Sequence, residues 1–189
     1  MKESSKFASR ILPPLYQNST LSNFENGRAA VQACFDFLKS FPSSSLLFSG
    51  NPGSGKTHLA CAIYSGLIEQ EKVKSSSCAF ITAPEFLLEI RREFNIEKGD
   101  EGRIIGKYSD LDLLILDDLG SEKSTEFAIQ ALYILIDRRI RNMKPTVVTT
   151  NLSMEQIEEK LNERIASRLS SMSVIKLNLP DHRKKRKGR

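Results

Sequence analysis

Hydrophobic residues fall along this chain in short blocks that switch between two spacings. The segment AAVQACFDFLKSF sets Val31, Cys34, Phe35 and Leu38 at helical intervals and predicts a helix that Pro42 ends. After a run of serines, LLFSG is a short apolar stretch of strand length. KTHLACAIYSGLIEQ then repeats Leu59, Ile63 and Leu67 every four residues, which predicts an amphipathic helix. CAFIT is a second short strand, and Thr82 with Glu85 three residues on forms a capping box for the helix PEFLLEIRREF, with Pro84 in its first turn. Residues 95–110 are polar and glycine-spaced and predict a long connection. LDLLILDD is an apolar run ending in two acids, the pattern of a strand buried on both faces of a parallel sheet. A helix from Ser124 to Asn142 lines up Ala128, Leu132, Leu135 and Ile136; KPTVVTTN is a β-branched strand; Ser153 with Gln156 caps a further helix; SVIKLNLP predicts the last strand. Strands alternating with helices, without internal repeats, predict an α/β fold in three layers, with a mainly parallel five-stranded sheet covered on both faces.

Composition narrows the setting. At 189 residues the chain has the size of one domain, and 40% hydrophobic with 27% charged residues is the make-up of a soluble globular protein. No apolar run approaches the ~20 residues of a bilayer crossing, and MKESSKFASR lacks the apolar stretch of a secretory signal, so a cytoplasmic protein with no membrane partner is expected. Cys34, Cys61 and Cys78 match no metal-ligand spacing and are expected to be buried thiols. The net charge of +5 is unevenly spread: RKKRKGR at the end carries six positive charges, while residues 1–182 hold 22 Lys and Arg against 23 Asp and Glu. The chain is therefore expected to divide into an irregular lead-in over 1–20, broken by Pro13 and Pro14, one domain over 21–180, and a basic tail over 181–189. Such a tail suits nucleic-acid phosphates, and equally a solvated end.

The chemistry is concentrated after the first strand. Gly50-Asn51-Pro52-Gly53-Ser54-Gly55-Lys56-Thr57 fits the phosphate-loop pattern, in the strand-loop-helix setting it requires. Glycines let the backbone curl so that successive N–H groups face phosphate oxygens, and the following helix adds the positive end of its dipole. Lys56 would reach the β and γ phosphates of ATP, the Thr57 hydroxyl would bind Mg2+, and His58 is counted with the nucleotide-binding set. Asp117 and Asp118 close a strand, where open α/β sheets present their ligand crevice; Asp117 is assigned to the metal and Asp118 to the attacking water. Asn151 ends the next strand, as a contact to the γ phosphate or the attacking water, or as a helix cap. Arg164 and Arg168 share one helix face, as solvated surface residues or as catalytic ones.

GNPGSGKTHLA, LLILDDLGSE, VVTTNLS and NERIASRL, in this order and spacing, resemble the ATPase domain of the DnaC/DnaI helicase loaders and the related IstB transposition helper ATPases of the AAA+ superfamily, over roughly residues 20–180. The resemblance implies a P-loop fold of AAA+ type and a DNA-replication protein that hydrolyses Mg2+·ATP. It puts Asn151 at the sensor 1 position, Phe24 near the base, and Arg168 at the arginine finger that acts on the ATP of a neighbouring subunit, with Arg164 as second candidate. A homo-oligomer is implied, with a replicative ring helicase, or a transposase, and single-stranded DNA as partners. Asp118 stands where many AAA+ proteins have Glu, which implies slow hydrolysis. The helical lid of larger relatives is expected to be absent, leaving Arg183 as its one arginine candidate. With about 20 residues ahead of the first helix, partner contact is expected by another route than the usual N-terminal region, or through a segment outside this sequence. Arg91, Arg92, Lys98, Arg103 and Lys107 are in a place that suits contact with single-stranded DNA, although Glu93, Glu97, Asp100 and Glu101 offset their charge and a solvated loop is the favoured expectation. Two other classes share the loop: a small-molecule kinase and a nucleotide-binding adaptor that does not hydrolyse.

Overall fold

Each inner strand turns alternate side chains to two separate apolar cores, and that alternation sets the layers. The computed structural model describes residues 12–25, 27–94 and 101–182. A short 3-10 turn, Pro14–Tyr16, leads to α1 (Arg28–Ser40), β1 (Leu46–Gly50), α2 (Lys56–Glu69), β2 (Cys78–Thr82), α3 (Ala83–Phe94) and α4 (Glu101–Asp110). There follow β3 (Leu113–Leu119), α5 (Glu126–Arg141), β4 (Thr146–Thr150), α6 (Met154–Lys160), α7 (Glu163–Ser170) and β5 (Ser173–Leu177). The five strands lie in the order β2-β3-β4-β1-β5, and every pairing is parallel. Leu46 and Phe48 of β1, Leu113 and Ile115 of β3 and Val147 of β4 face a core with α1 and α2. Leu47, Leu114, Leu116 and Val148 face the other way, onto α3 to α7. A strand one residue out of register would exchange these two sets, so the doubly buried pattern fixes the pairing.

Three expectations are corrected. On α1 it is Phe37, not Phe35, that enters the core with Cys34 and Leu38; Phe35 is exposed. The α2 helix is not amphipathic: it buries Leu59, Ala60, Cys61, Ala62, Ile63, Tyr64 and Leu67, because α1 and the lead-in cover the flank that would face water. Residues 101–110, expected within a connection, form α4, which buries Ile104, Ile105 and Tyr108 against α3 and α5. Residues 95–100, with Lys98, lie outside the described residues, as do Arg183 and the basic run 183–189.

One buried charge ties the far end of the sheet together. Arg139 on α5 is 1% exposed, and its guanidinium donates to Thr146 Oγ1 and to the carbonyls of Tyr108, Ser109, Leu111 and Pro145 at 2.6–3.1 Å. It thereby satisfies carbonyls at the end of α4 that no helix turn can reach. Burial lowers its pKa to about 10, with Asp110 and Asp112 pulling the other way, so it stays charged at neutral pH. Among the described residues no helix is long and apolar enough to cross a membrane.

Candidate functional site

The loop between β1 and α2 sits at the C-terminal edge of the sheet beside a cleft of about 1050 Å3. Gly55 ends the loop at φ +94°, a left-handed conformation that side chains resist, and a Cβ there would come within 2.5 Å of the Phe24 ring. Lys56 is buried; its Nζ donates to the carbonyls of Gly50 and Asn51 at 2.8 Å each, so the side chain curls back across the loop. Thr57, next on α2, donates from Oγ1 to Asp117 Oδ1 at 3.0 Å and lies 3.2 Å from Oδ2. The first turn of α2 and the first of the β3 acids, sixty residues apart, are in contact.

Strand β4 lies between them and holds both acids. Thr149 Oγ1 donates to Asp117 Oδ1 at 2.6 Å and accepts from the Asp118 amide at 2.9 Å. Asn151 Nδ2 donates to Asp118 Oδ1 at 2.9 Å. Burial raises the Asp117 pKa; the hydrogen bonds from Thr149 and Thr57 oppose this, while Asp118 adds to it. Asp118 takes a positive φ of 58°, uncommon for a non-glycine residue and worth about 1 kcal/mol of strain or more. After β3 the Gly120 amide donates to Glu122, which closes the turn. Among the described residues no group of three or more His, Cys, Asp or Glu could hold a metal. The hard oxygens of Thr57 and Asp117 suit Mg2+, which commonly takes few protein ligands and fills its shell with water and phosphate.

The IstB-like ATP binding protein model matches residues 26–179. The chain belongs to the IstB-like family. ATP binding goes with this membership, and so does the AAA+ type of P-loop fold. This IstB-like chain is 28% identical over 175 residues to the replicative helicase loader DnaC of Escherichia coli (strain K12), spanning 89% of the chain and 70% of that protein. The crystal structure of the DnaC helicase loader superposes with a TM-score of 0.77 at 24% identity, over 89% of this chain and all of that one. AMPPCP-bound DnaA from Aquifex aeolicus superposes at 0.75 with 21% identity, over 89% of this chain and about half (52%) of that one. At such identities the two structures speak for the fold.

The IstB-like chain also brings to the cleft residues that its sequence did not single out. Leu15, Tyr16, Asn18 and Ser19 of the lead-in and Asn23 and Glu25 just after it line it beside Phe24, and Thr149 and His182 line it too. Phe24 packs on His58, ring centroids 5.5 Å apart, and His58 Nε2 lies 3.0 Å from the Thr20 carbonyl. A carbonyl only accepts, so Nε2 carries the proton. The lead-in is ordered by its own polar groups: Thr20 N donates to Asn23 Oδ1, and Asn23 Nδ2 to the Asn18 carbonyl. Such local bonds leave no periodicity to read.

Arg168 lies away from this cleft. Its Nε is 2.9 Å from Asp137 Oδ1 on α5, as a charge pair whose N–H is not aimed at the oxygen, and Arg141 takes the other oxygen at 2.7 Å. Its side chain is 43% exposed, and Arg164 is exposed. Three of the basic residues on α3 and α4 are engaged locally: Arg103 with Glu93, Lys107 with Glu89, and Arg91 over the Phe127 ring; Arg92 is exposed. The two glutamates lower the positive field that a DNA backbone would meet.

Proposed function

We propose that this chain binds Mg2+·ATP in the cleft, hydrolyses it slowly, and uses that cycle to help place a replicative ring helicase on single-stranded DNA. The observation that carries the reading is the convergence of the glycine loop, Lys56, the two acids and Asn151, distant in the chain, around one cleft. The likeness to DnaC along 89% of the chain supports the loading role.

In this reading the loop amides and the positive end of α2 hold the β and γ phosphates. Lys56 exchanges its two carbonyl partners for phosphate oxygens. Thr57 and Asp117 hold the metal ion, whose charge offsets that on the phosphates. Asp118, held by Asn151, orients the attacking water, and its short side chain keeps turnover slow. Phe24, with His58 behind it, flanks the base. Arg168, half-exposed beside Asp137, leaves that pair to complete the site of a neighbouring copy, so full activity requires an assembly.

The IstB-like family description keeps a second reading beside this one, that of a transposition helper ATPase, which the likeness to DnaC makes the less favoured. Pull-downs from the source cell with ATP and with ADP separate the two. A ring helicase retained with ATP is the expected result, and a transposase supports the second reading. With γ-labelled ATP, label is expected to leave as phosphate, faster with single-stranded DNA. Transfer to a small acceptor would overturn both readings in favour of a kinase.

A further inference from the structure

Strand alternation ought to send the side chains of Asp117 and Asp118 to opposite faces of the sheet, yet both line the cleft. The cause is a β-bulge. Leu116 pairs with Val148 and Leu119 with Thr150, so β3 carries one residue more than β4 between the same two rungs. Asp117 and Asp118 together oppose Thr149, and the positive φ of Asp118 is the bend. Such a bulge takes the Asp118 amide off the ladder inside the fold, where an unpaired N–H is costly.

Thr149 is 1% exposed and closes this gap with one hydroxyl. An amide can only donate and a carboxylate can only accept, so the Thr149 hydroxyl must accept from Asp118 N and donate to Asp117 Oδ1. Packing alone would be met by another valine, as at Val147 and Val148 beside it. We propose that Thr149 is a positioning residue: it holds the bulge that turns both acids into one cleft and aims Asp117 at the Thr57 hydroxyl, where the metal of Mg2+·ATP is bound. This rests on the ATP reading above. The residue acts through the two aspartates that its hydroxyl holds.

The test measures affinity for a fluorescent ATP analogue in EDTA and in Mg2+, in the wild type, Thr149→Val and Thr149→Ser. Thr149→Val is expected to bind as the wild type does in EDTA, because the glycine loop is untouched, and to lose about tenfold or more of the affinity gained with Mg2+. Thr149→Ser keeps the hydroxyl and should recover that gain to within about threefold. An undiminished Mg2+ gain in Thr149→Val, a serine variant no better than the valine one, or an equal loss in EDTA each overturns the assignment. A wild type without any Mg2+-dependent gain overturns the ATP reading and this proposal with it. Circular dichroism monitors folding, and if the valine variant does not fold, Thr149→Ala, with room for a water at the Asp118 amide, carries the same comparison.

Discussion

Asn151 Nδ2 donates to Asp118 Oδ1 across 2.9 Å, so the polar end of β4 and the second acid of β3 form one unit. Residues acting as a unit are not additive when removed. Asn151→Ala and Asp118→Asn are each expected to lower kcat by about tenfold or more while leaving ATP affinity within about threefold. The double variant should be no slower than the worse single one. Steady-state ATPase rates on the four proteins check this, and full additivity would separate the two residues.

Lys56 is the cation of the loop, and its ammonium already rests on the Gly50 and Asn51 carbonyls. Lys56→Ala should abolish Mg2+·ATP binding measured by calorimetry. The fold should persist, since the Gly50 and Asn51 carbonyls that the ammonium meets lie at the rim of the sheet, where water can replace it. Unchanged affinity would remove the loop from the nucleotide site.

Arg168 and Asp137 set up a prediction about assembly. Mixing Arg168→Ala with Asp118→Asn subunits should restore ATPase activity above either alone, because a donor-defective and an acceptor-defective copy can form an intact site between them. No recovery at any ratio would place Arg168 in a purely structural role. The ion pair is partly exposed, so Arg168→Ala alone should cost at most about 1 kcal/mol of stability.

Arg139 gives the opposite contrast between charge and stability. Arg139→Leu strands several buried carbonyls at the end of α4, for a loss of about 3 kcal/mol, or roughly 10 °C in Tm. Thermal melting checks this, and a shift under about 2 °C would mean that water replaces the guanidinium.

The thiols are expected to be silent. Burial pushes the Cys34 pKa up to about 12 and that of Cys78 to about 11, and raises that of Cys61 further, with Asp117 adding to the last. The thiolate is the reactive form and is nearly absent at pH 8. A chromogenic thiol reagent should therefore label none of the three in the native state and all of them in denaturant.

The parts of the fold that could be read ahead of the structure are those where one physical cause leaves one pattern. The β1 strand and its glycines are such a case, and so are the Ser153–Gln156 capping box and the doubly buried β3. Helix α4 was hidden because Gly102 and Gly106 interrupt its polar face, although Ile104, Ile105 and Tyr108 keep helical spacing. Thr149 was hidden for a different reason. A threonine in a strand is ordinary by propensity, and only the extra residue in the partner strand gives its hydroxyl a task. The lead-in lining the cleft carries no periodic signal, because short-range polar bonds shape it.

Three glycines of the phosphate loop lean on three different neighbours: Gly50 on the Leu177 carbonyl, Gly53 on Asp181 and Gly55 on the Phe24 ring. His182 also donates its amide to the Gly53 carbonyl at 3.1 Å. The stretch ahead of α1 and the stretch beyond β5 are thus geared to the same few peptide units. Movement of those units as a triphosphate seated or left would press on both stretches at once, so that a reporter placed on either side would register the state of the loop.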